Sequence, residues 1–260
     1  MLNAIWAIAL ATYKSTARSK LSVALVLFSV ALFVAISLMT ASSLNEDERL
    51  LKDLGLFLGS SIAALSTLAL CAQSLYRDLE RKSLFTLATK PVSRSVIVWG
   101  KFIGVCLTSA TLTMLFSLVW FVLAWRLAVP FEVVMIKAWF LVWLESVIVG
   151  GVAMMFGSFS SPLVSSALSF GVMLIGRFSE EIIRLQERSI KLDEVNPILD
   201  LARELLITLP PLQLYNVTEQ VVYRSPIPFE YLIKATLTSL SYSALCIMIA
   251  SLIFARRDLT

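Results

Sequence analysis

Residues 138–176 have the sequence AWFLVWLESVIVGGVAMMFGSFSSPLVSSALSFGVMLIG, in which Glu145 is the only charged residue. A hydrocarbon core about 30 Å thick is crossed by about 20 helical residues, so this stretch is too long for one crossing. Small residues and a proline at positions 157–162 favour a tight turn. The stretch therefore predicts a fourth and a fifth transmembrane helix joined by a short connection.

Four uncharged runs of 21 to 24 residues flank this stretch, and we predict that each crosses the membrane once. They span residues 21–44, 54–76, 102–125 and 235–255. A cleaved signal peptide is the alternative for the first run, but that run exceeds the 7 to 15 residues of a signal-peptide core and lacks a clear cleavage site. The predicted fold class is an all-α membrane protein with six transmembrane helices.

The composition agrees with a membrane protein and excludes several classes of enzyme. Hydrophobic residues make up 58% of the chain and charged residues 15%, with a mean hydropathy of +0.84. Histidine is absent, which excludes histidine-based metal sites and the common serine–histidine and cysteine–histidine nucleophile pairs. No paired membrane carboxylates suggest an intramembrane enzyme, and no basic patch with interleaved aromatics suggests nucleic-acid binding. We predict that the chain is not itself an enzyme and binds no cofactor or metal directly.

The distribution of charge between the runs predicts the orientation in the membrane. With the N-terminus inside, the cytoplasmic segments carry 11 of the 22 basic residues but only three of the 18 acidic ones. An excess of lysine and arginine marks cytoplasmic loops. We therefore expect a multi-pass protein of the cell inner membrane with both termini in the cytoplasm.

Three segments outside the runs complete the predicted organisation. Residues 1–20 place apolar side chains at helical spacing before a basic end, which predicts an interfacial helix. Residues 21–176 contain transmembrane helices one to five, and residues 77–101 within them form a cytoplasmic segment. The first part of this segment is predicted to be a short helix that ends before Pro91. Residues 177–234 predict a small helical loop domain outside the cell, with helices at 180–190 and from Asn196 to the prolines at 210 and 211. Residues 235–260 are the sixth helix and a cytoplasmic tail.

The apolar side chains of the cytoplasmic segment suggest that a partner covers it. An equally good alternative is a positively charged helix that lies on anionic lipid headgroups. Its pattern resembles the coupling segment of ABC-2 type transporter permeases. The matching residues are Asp78, Glu80, Ser83, Leu84, Leu87, Lys90, Pro91, Val92, Ser93, Arg94, Gly100 and Lys101. Lys82 stands where many members of that family have glycine. The order of six helices, the N-terminal interfacial helix and the enlarged last outer loop are also similar to that family.

The resemblance implies that the chain is the membrane subunit of an ATP-driven transporter. No Walker-type phosphate-binding sequence occurs in it, so the ATPase would be a separate polypeptide. A separate cytoplasmic ABC ATPase, which holds the ATP and Mg²⁺, would bind the coupling segment. A second permease subunit would complete the membrane part, and a homodimer is expected. The ATPase-coupling residues implied are Asp78, Glu80, Leu84, Leu87, Pro91 and Arg94.

A second, shorter likeness lies in the outer loop. Leu209-Pro-Pro-Leu-x-Leu-Tyr-Asn216 resembles the subgroup that includes the permease of the nitrous-oxide-reductase maturation transporter. This likeness implies an extracytoplasmic auxiliary protein as a further partner. A loop that only roofs the membrane helices is the alternative.

Glu145 is the one charged residue within a predicted span, about seven residues from its outer end and so about 10 Å deep. Intramembrane carboxylates usually face the bundle interior, a partner or a watery cavity. We interpret Glu145 as a residue of the translocation route or of the subunit interface, with a carboxylate that reaches the outer headgroups as the alternative. A secondary transporter or a non-transporting membrane anchor remains an alternative function.

Overall fold

The structure is a computed structural model that describes residues 2–40, 47–80, 93–179 and 209–256, and all regular elements in these ranges are helices. The helices are α1 (Leu2–Ala17), α2 (Lys20–Thr40), α3 (Asp47–Glu80), α4 (Arg94–Arg126), α5 (Val133–Gly157), α6 (Pro162–Arg177), a 3-10 helix (Leu212–Tyr215), α7 (Thr218–Val222) and α8 (Phe229–Arg256). The predicted all-helical class is confirmed for the described residues.

Four helices are long and apolar enough to cross a membrane: Leu51–Ser74 within α3, then α4, α5 and residues 229–255 of α8. The count becomes five if α1 and residues 20–35 of α2, which meet at a bend of 56°, form one span. The chain is thus a multi-pass membrane protein. The predicted fifth span corresponds to α6, whose 16 residues fall short of the ~20 that a full crossing needs. Six full crossings therefore remain a prediction.

Helix α5 is the centre of the bundle and packs on α3, α4, α6 and α8. It is apolar on every side, as expected for a helix surrounded by other helices. Two glycines of α3 admit large aromatic rings at the end of the bundle that the charge distribution predicts to face outward, which is called the outer end below. Gly55 lies against the indole of Trp120 and Gly59 against that of Trp139, each so close that an added Cβ would be within 2.5 Å of the ring. The fully buried Trp120 also donates a hydrogen bond of 3.3 Å to the carbonyl of Leu51.

Large apolar side chains also cover much of the bundle's exposed surface. In water such an area would be an association site, but on a membrane protein it is the surface that contacts lipid or a second subunit. The four most exposed of the described aromatic residues lie at the outer helix ends, where aromatic belts occur at membrane interfaces. They are Trp125, Phe131, Tyr223 and Phe229.

Helix α1 packs on the first part of α4 through two glycines of α4. A Cβ added to Gly100 would be 2.8 Å from the Ile8 side chain, and one added to Gly104 would be 2.6 Å from the carbonyl oxygen of Ala9. The α1 helix that the sequence predicts is therefore present and joined to α4. Its location on the membrane surface remains a prediction.

This contact predicts that Gly104→Ala destabilises the protein while Gly171→Ala does not. At Gly104 the obstacle is main chain that cannot rotate away, and overpacking of this kind costs about 1–3 kcal/mol. At Gly171 an added Cβ meets no atom within 4 Å, so the higher helix propensity of alanine makes the change neutral or stabilising by up to about 1 kcal/mol. Thermal unfolding of both variants in the same detergent measures the difference, and equal stability of the two would contradict the packing.

Candidate functional site

Glu145 is deeper in its helix than the sequence predicted. Helix α5 begins at Val133 rather than at Ala138, which makes Glu145 the thirteenth of 25 residues. At 1.5 Å per residue its α-carbon is about 18 Å from the outer end, where the sequence predicted about 10 Å. Lys137 lies near the start of α5, and its ammonium group donates a 2.6 Å hydrogen bond to the carbonyl of Ile227. Because its charge is satisfied in this way, the helix can begin before it.

The partner of the Glu145 carboxylate is Arg177, the last residue of α6. Arg177 Nε lies 2.7 Å from Glu145 Oε1, and the Glu145 side chain is 5% exposed. The other two guanidinium nitrogens of Arg177 donate to Ser61 Oγ at 2.8 Å and Ser60 Oγ at 3.1 Å. One guanidinium thus joins α3, α5 and α6. A buried charge is tolerated only with a partner and hydrogen bonds of this kind.

This ion pair fixes the depth at which α6 ends. Because Arg177 meets Glu145, the outer end of α6 is level with the middle of α5 and does not reach the outer ends of the long helices. A helix that stops at mid-depth beside an ionisable pair is a feature of binding sites in transporters. The ion pair and its serine partners are therefore the candidate functional site.

Residues 209–228 include two short helices, which pack on the end of α6 and on α3 and α5. Gly176, near the end of α6, contacts Leu212, and the Gln213 side chain donates to the carbonyl of Arg177. Tyr215 is 1% exposed and its hydroxyl donates to the carbonyl of Ala235 at 2.9 Å. These bonds tie the segment to both α6 and α8.

The outer loop domain predicted for residues 177–234 is described only in part, since its two predicted helices lie in 180–208, outside the described residues. The described portion lies between the helices instead of above their outer ends. Several of its side chains belong to the main hydrophobic core of the bundle; they are Leu212, Tyr215, Val217, Val221 and Ile227. Apart from the apolar character of the stretch, no sequence signal predicts this insertion.

Ion pairs at the outer rim hold the far end of the same segment. Arg224 lies 2.8 Å from Glu48 Oε1 and 3.1 Å from Glu132 Oε1. Lys52, which is fully buried, lies 2.7 Å from Glu48 and 3.5 Å from Glu132. Hydrogen bonds from Lys52 and then Arg224 lower the pKa of Glu48 below its usual value of 4.5.

The lowered pKa of Glu48 predicts a stability contribution that acid removes. A carboxylate whose pKa is lower in the folded state stabilises the protein above its unfolded-state pKa, and this contribution disappears as the pH falls through the folded-state value. We expect Glu48→Gln to lower the melting temperature at pH 7 and to have a much smaller effect below about pH 4. Thermal unfolding of both proteins across this range measures it, and a difference that is constant with pH would contradict it.

The predicted coupling residues lie at or beside a gap in the described chain. Leu84, Leu87 and Pro91 are outside the described residues, whereas Asp78 and Glu80 are in the last turn of α3. Arg94 is the first residue of α4, and its guanidinium lies 3.4 Å from the carbonyl oxygens of Phe254 and Ala255 in the last turn of α8. Cations favour the C-terminal end of a helix, so Arg94 ties the start of α4 to the end of α8.

Lys101 makes the corresponding contact with α3. It is 5% exposed, and its ammonium group donates a 2.5 Å hydrogen bond to the carbonyl of Ser74. The sequence included Lys101 in the matching pattern but predicted no function for it. Arg177 was also missed, because it stands at the start of what the sequence defines as the outer loop. A buried Glu145 needs a cation nearby, and this need could have led to Arg177 as a candidate partner.

The described residues contain no cluster of three or more potential metal ligands, and the three cysteines are free. No protein-family model and no curated protein matches this chain. The family is therefore a proposal that depends on the coupling pattern and on the fold.

The buried ion pair predicts a large cost when one partner is lost. We expect Arg177→Gln to destabilise the protein by about 3–5 kcal/mol, because it leaves the carboxylate of Glu145 buried without a counter-charge. The Glu145→Gln/Arg177→Gln double variant removes both charges, and we expect it to recover a large part of that loss. Chemical denaturation of single and double variants gives the coupling free energy. Additive effects would show that the two groups do not interact.

Proposed function

We propose that this chain is the membrane-spanning permease subunit of an ATP-driven ABC transporter whose ATPase is a separate polypeptide. In this proposal ATP hydrolysis is coupled either to export of a substrate or to action on an extracytoplasmic partner. Two permease subunits, expected to be identical, assemble with two ATPase subunits that hold ATP and Mg²⁺. The resemblance of residues 78–101 to an ABC-2 coupling segment is the basis for the family, and the geometry around α4 supports the mechanism.

The supporting observation is the convergence of three helices on the first three turns of α4, immediately after the coupling pattern. Gly100 and Gly104 contact α1, Lys101 bonds to α3, and Arg94 bonds to the end of α8. A second apolar cluster joins the same region to α5 and α8 through Val98, Phe102, Val147, Met154, Ile247, Ala250 and Phe254. Displacement of the residues before Arg94 would therefore move several helices together.

In the proposed mechanism, closure of the two ATPase subunits on ATP pushes on the coupling segment. Packed helices shift as rigid bodies, because a close-packed interior does not deform continuously. Arg94 and Lys101 each donate hydrogen bonds to main-chain carbonyls of a neighbouring helix, so these bonds link α4 directly to the backbones of α8 and α3. Motion of this kind would open a path between the two permease subunits.

The proposal predicts that the coupling segment determines retention of the ATPase. We expect Leu84→Asp and Glu80→Lys to weaken the ATPase–permease complex by roughly tenfold or more, the effect of losing an interface hot spot. Copurification from detergent with quantification of the bound ATPase measures the loss, and ATP hydrolysis in proteoliposomes measures the coupling.

Glu230→Lys is the matched control for this experiment. It reverses an acidic charge in the first turn of α8, at the opposite end of the bundle from the coupling segment, and should retain the ATPase. Equal membrane insertion of all variants separates docking from folding. Absence of any copurifying ATPase, or full retention by both coupling variants, would overturn the proposal.

A secondary transporter is the second candidate, and the mid-depth end of α6 favours it. Broken helices with ionisable residues near the membrane centre characterise that class, and Glu145 with Arg177 fits this description. Uptake or export that is driven by an ion gradient without ATP would identify it. A membrane anchor that acts on an outer partner and moves no substrate would show ATPase copurification without flux.

A further inference from the structure

Lys101 is a buried cation at the end of the bundle next to the coupling pattern. It is 5% exposed, and the buried residues beside it on α4 are apolar: Val98, Phe102 and Val105. A buried ammonium group is costly unless hydrogen bonds replace the water that it has lost. The carbonyl oxygen of Ser74 supplies such a bond at 2.5 Å. The bond therefore attaches the side chain of Lys101 to the main chain of α3.

This bond joins the two ends of the coupling segment. The segment leaves α3 after Glu80 and enters α4 at Arg94, and the bond connects these two helices although its partners are 27 positions apart in the sequence. Residues 81–92 are outside the described residues, so the observation concerns the two ends of the segment alone. A segment whose ends are held together has less conformational freedom to lose when it binds a partner.

A second bond of the same kind joins α3 and α4 at the outer end. Trp120 donates to the carbonyl of Leu51 at 3.3 Å, and Gly55 of α3 lies against the same indole. At 1.5 Å per residue, Trp120 and Lys101 are about 28 Å apart along α4, which is close to the ~30 Å thickness of a hydrocarbon core. The two helices are thus attached to each other near both membrane surfaces, and Lys101 is the attachment beside the coupling segment.

We propose that Lys101 is a positioning residue for the ATPase: it joins α4 to α3 and so holds the two ends of the coupling segment at the separation that the ATPase subunit binds. This inference rests on the proposed function, because it requires an ATPase that binds residues 77–101. The resemblance implies that the coupling residues lie between Asp78 and Arg94. Loss of the Lys101 bond would leave all of them in the chain, but binding would then have to restrict two ends that are free to move, and the complex would be weaker.

The first measurement is hydrogen–deuterium exchange of the full chain in detergent without the ATPase. Lys101→Met keeps most of the side-chain length and removes the ammonium group. We expect the amides of residues 75–80, the part of α3 that follows Ser74, to exchange roughly tenfold faster because their attachment to α4 has been lost. Lys101→Arg retains a cationic donor and should restore slow exchange.

The second measurement is the Kd between the chain in nanodiscs and the ATPase subunit that copurifies with the unmodified chain. We expect Lys101→Met to raise this Kd by roughly tenfold, the effect of one lost hydrogen bond to a charged group. Lys101→Arg should restore most of the affinity. Where Lys101→Met does not elute as one folded species, Lys101→Gln takes its place, since it also removes the charge.

Lys137→Met is the matched control. Lys137 likewise donates from its ammonium group to a main-chain carbonyl, that of Ile227 at 2.6 Å, but at the outer end of the bundle. Its replacement removes a bond of the same chemistry, so any general loss of stability should appear in this variant too. We expect the exchange of residues 75–80 and the Kd to remain those of the unmodified chain.

Unchanged exchange at residues 75–80 in a folded Lys101 variant would overturn the proposal, and so would faster exchange with an unchanged Kd. An equal rise in Kd for Lys137→Met would also overturn it, because that result indicates general loosening of the bundle. Absence of any copurifying ATPase would overturn the proposed function and this inference with it. Faster exchange in the Lys101→Met chain would identify that case, since the bond would then be present without an ATPase to bind.

Discussion

A carboxylate in the middle of an apolar helix bundle needs a cation within hydrogen-bond distance, and the contact between Glu145 and Arg177 meets this need. The contact also determines the position at which a helix ends. Because Arg177 is the last residue of α6, its pairing with the thirteenth residue of α5 sets where α6 stops. Residues 212–215 then pack on the end of α6, where Leu212 contacts Gly176 and Gln213 donates to the carbonyl of Arg177.

Contacts of two kinds tie the ends of the bundle together. At the outer end, Arg224 and Lys52 pair with Glu48 and Glu132, and Lys137 bonds to the carbonyl of Ile227. At the end next to the coupling pattern, Arg94 and Lys101 bond to main-chain carbonyls of α8 and α3. The latter bonds join the start of α4 to two other helices, so this end is suited to transmit motion between helices.

These two features bear on different parts of function. The junction around the start of α4 supports an ATP-driven permease, because it lies where a coupling segment would deliver force. Residues 209–228 extend from the outer rim, where Arg224 pairs with Glu48, to the centre of the bundle, where Gln213 bonds to Arg177. They provide a physical link between the rim and the buried ion pair, whichever energy source drives the protein.

The sequence by itself determined the class of protein, since long uncharged runs can be satisfied only by helices in a bilayer. It also identified Glu145 as exceptional, because one charge in 39 residues is visible without a structure. The sequence could not place the start of α5, because it cannot show that the charge of Lys137 is satisfied by the carbonyl of Ile227. Nor could it identify Arg177 as the partner of Glu145 or show that α6 ends at mid-depth. Only the tertiary structure decided these points, because a contact across 32 residues depends on how three helices pack and leaves no periodic signal in the chain.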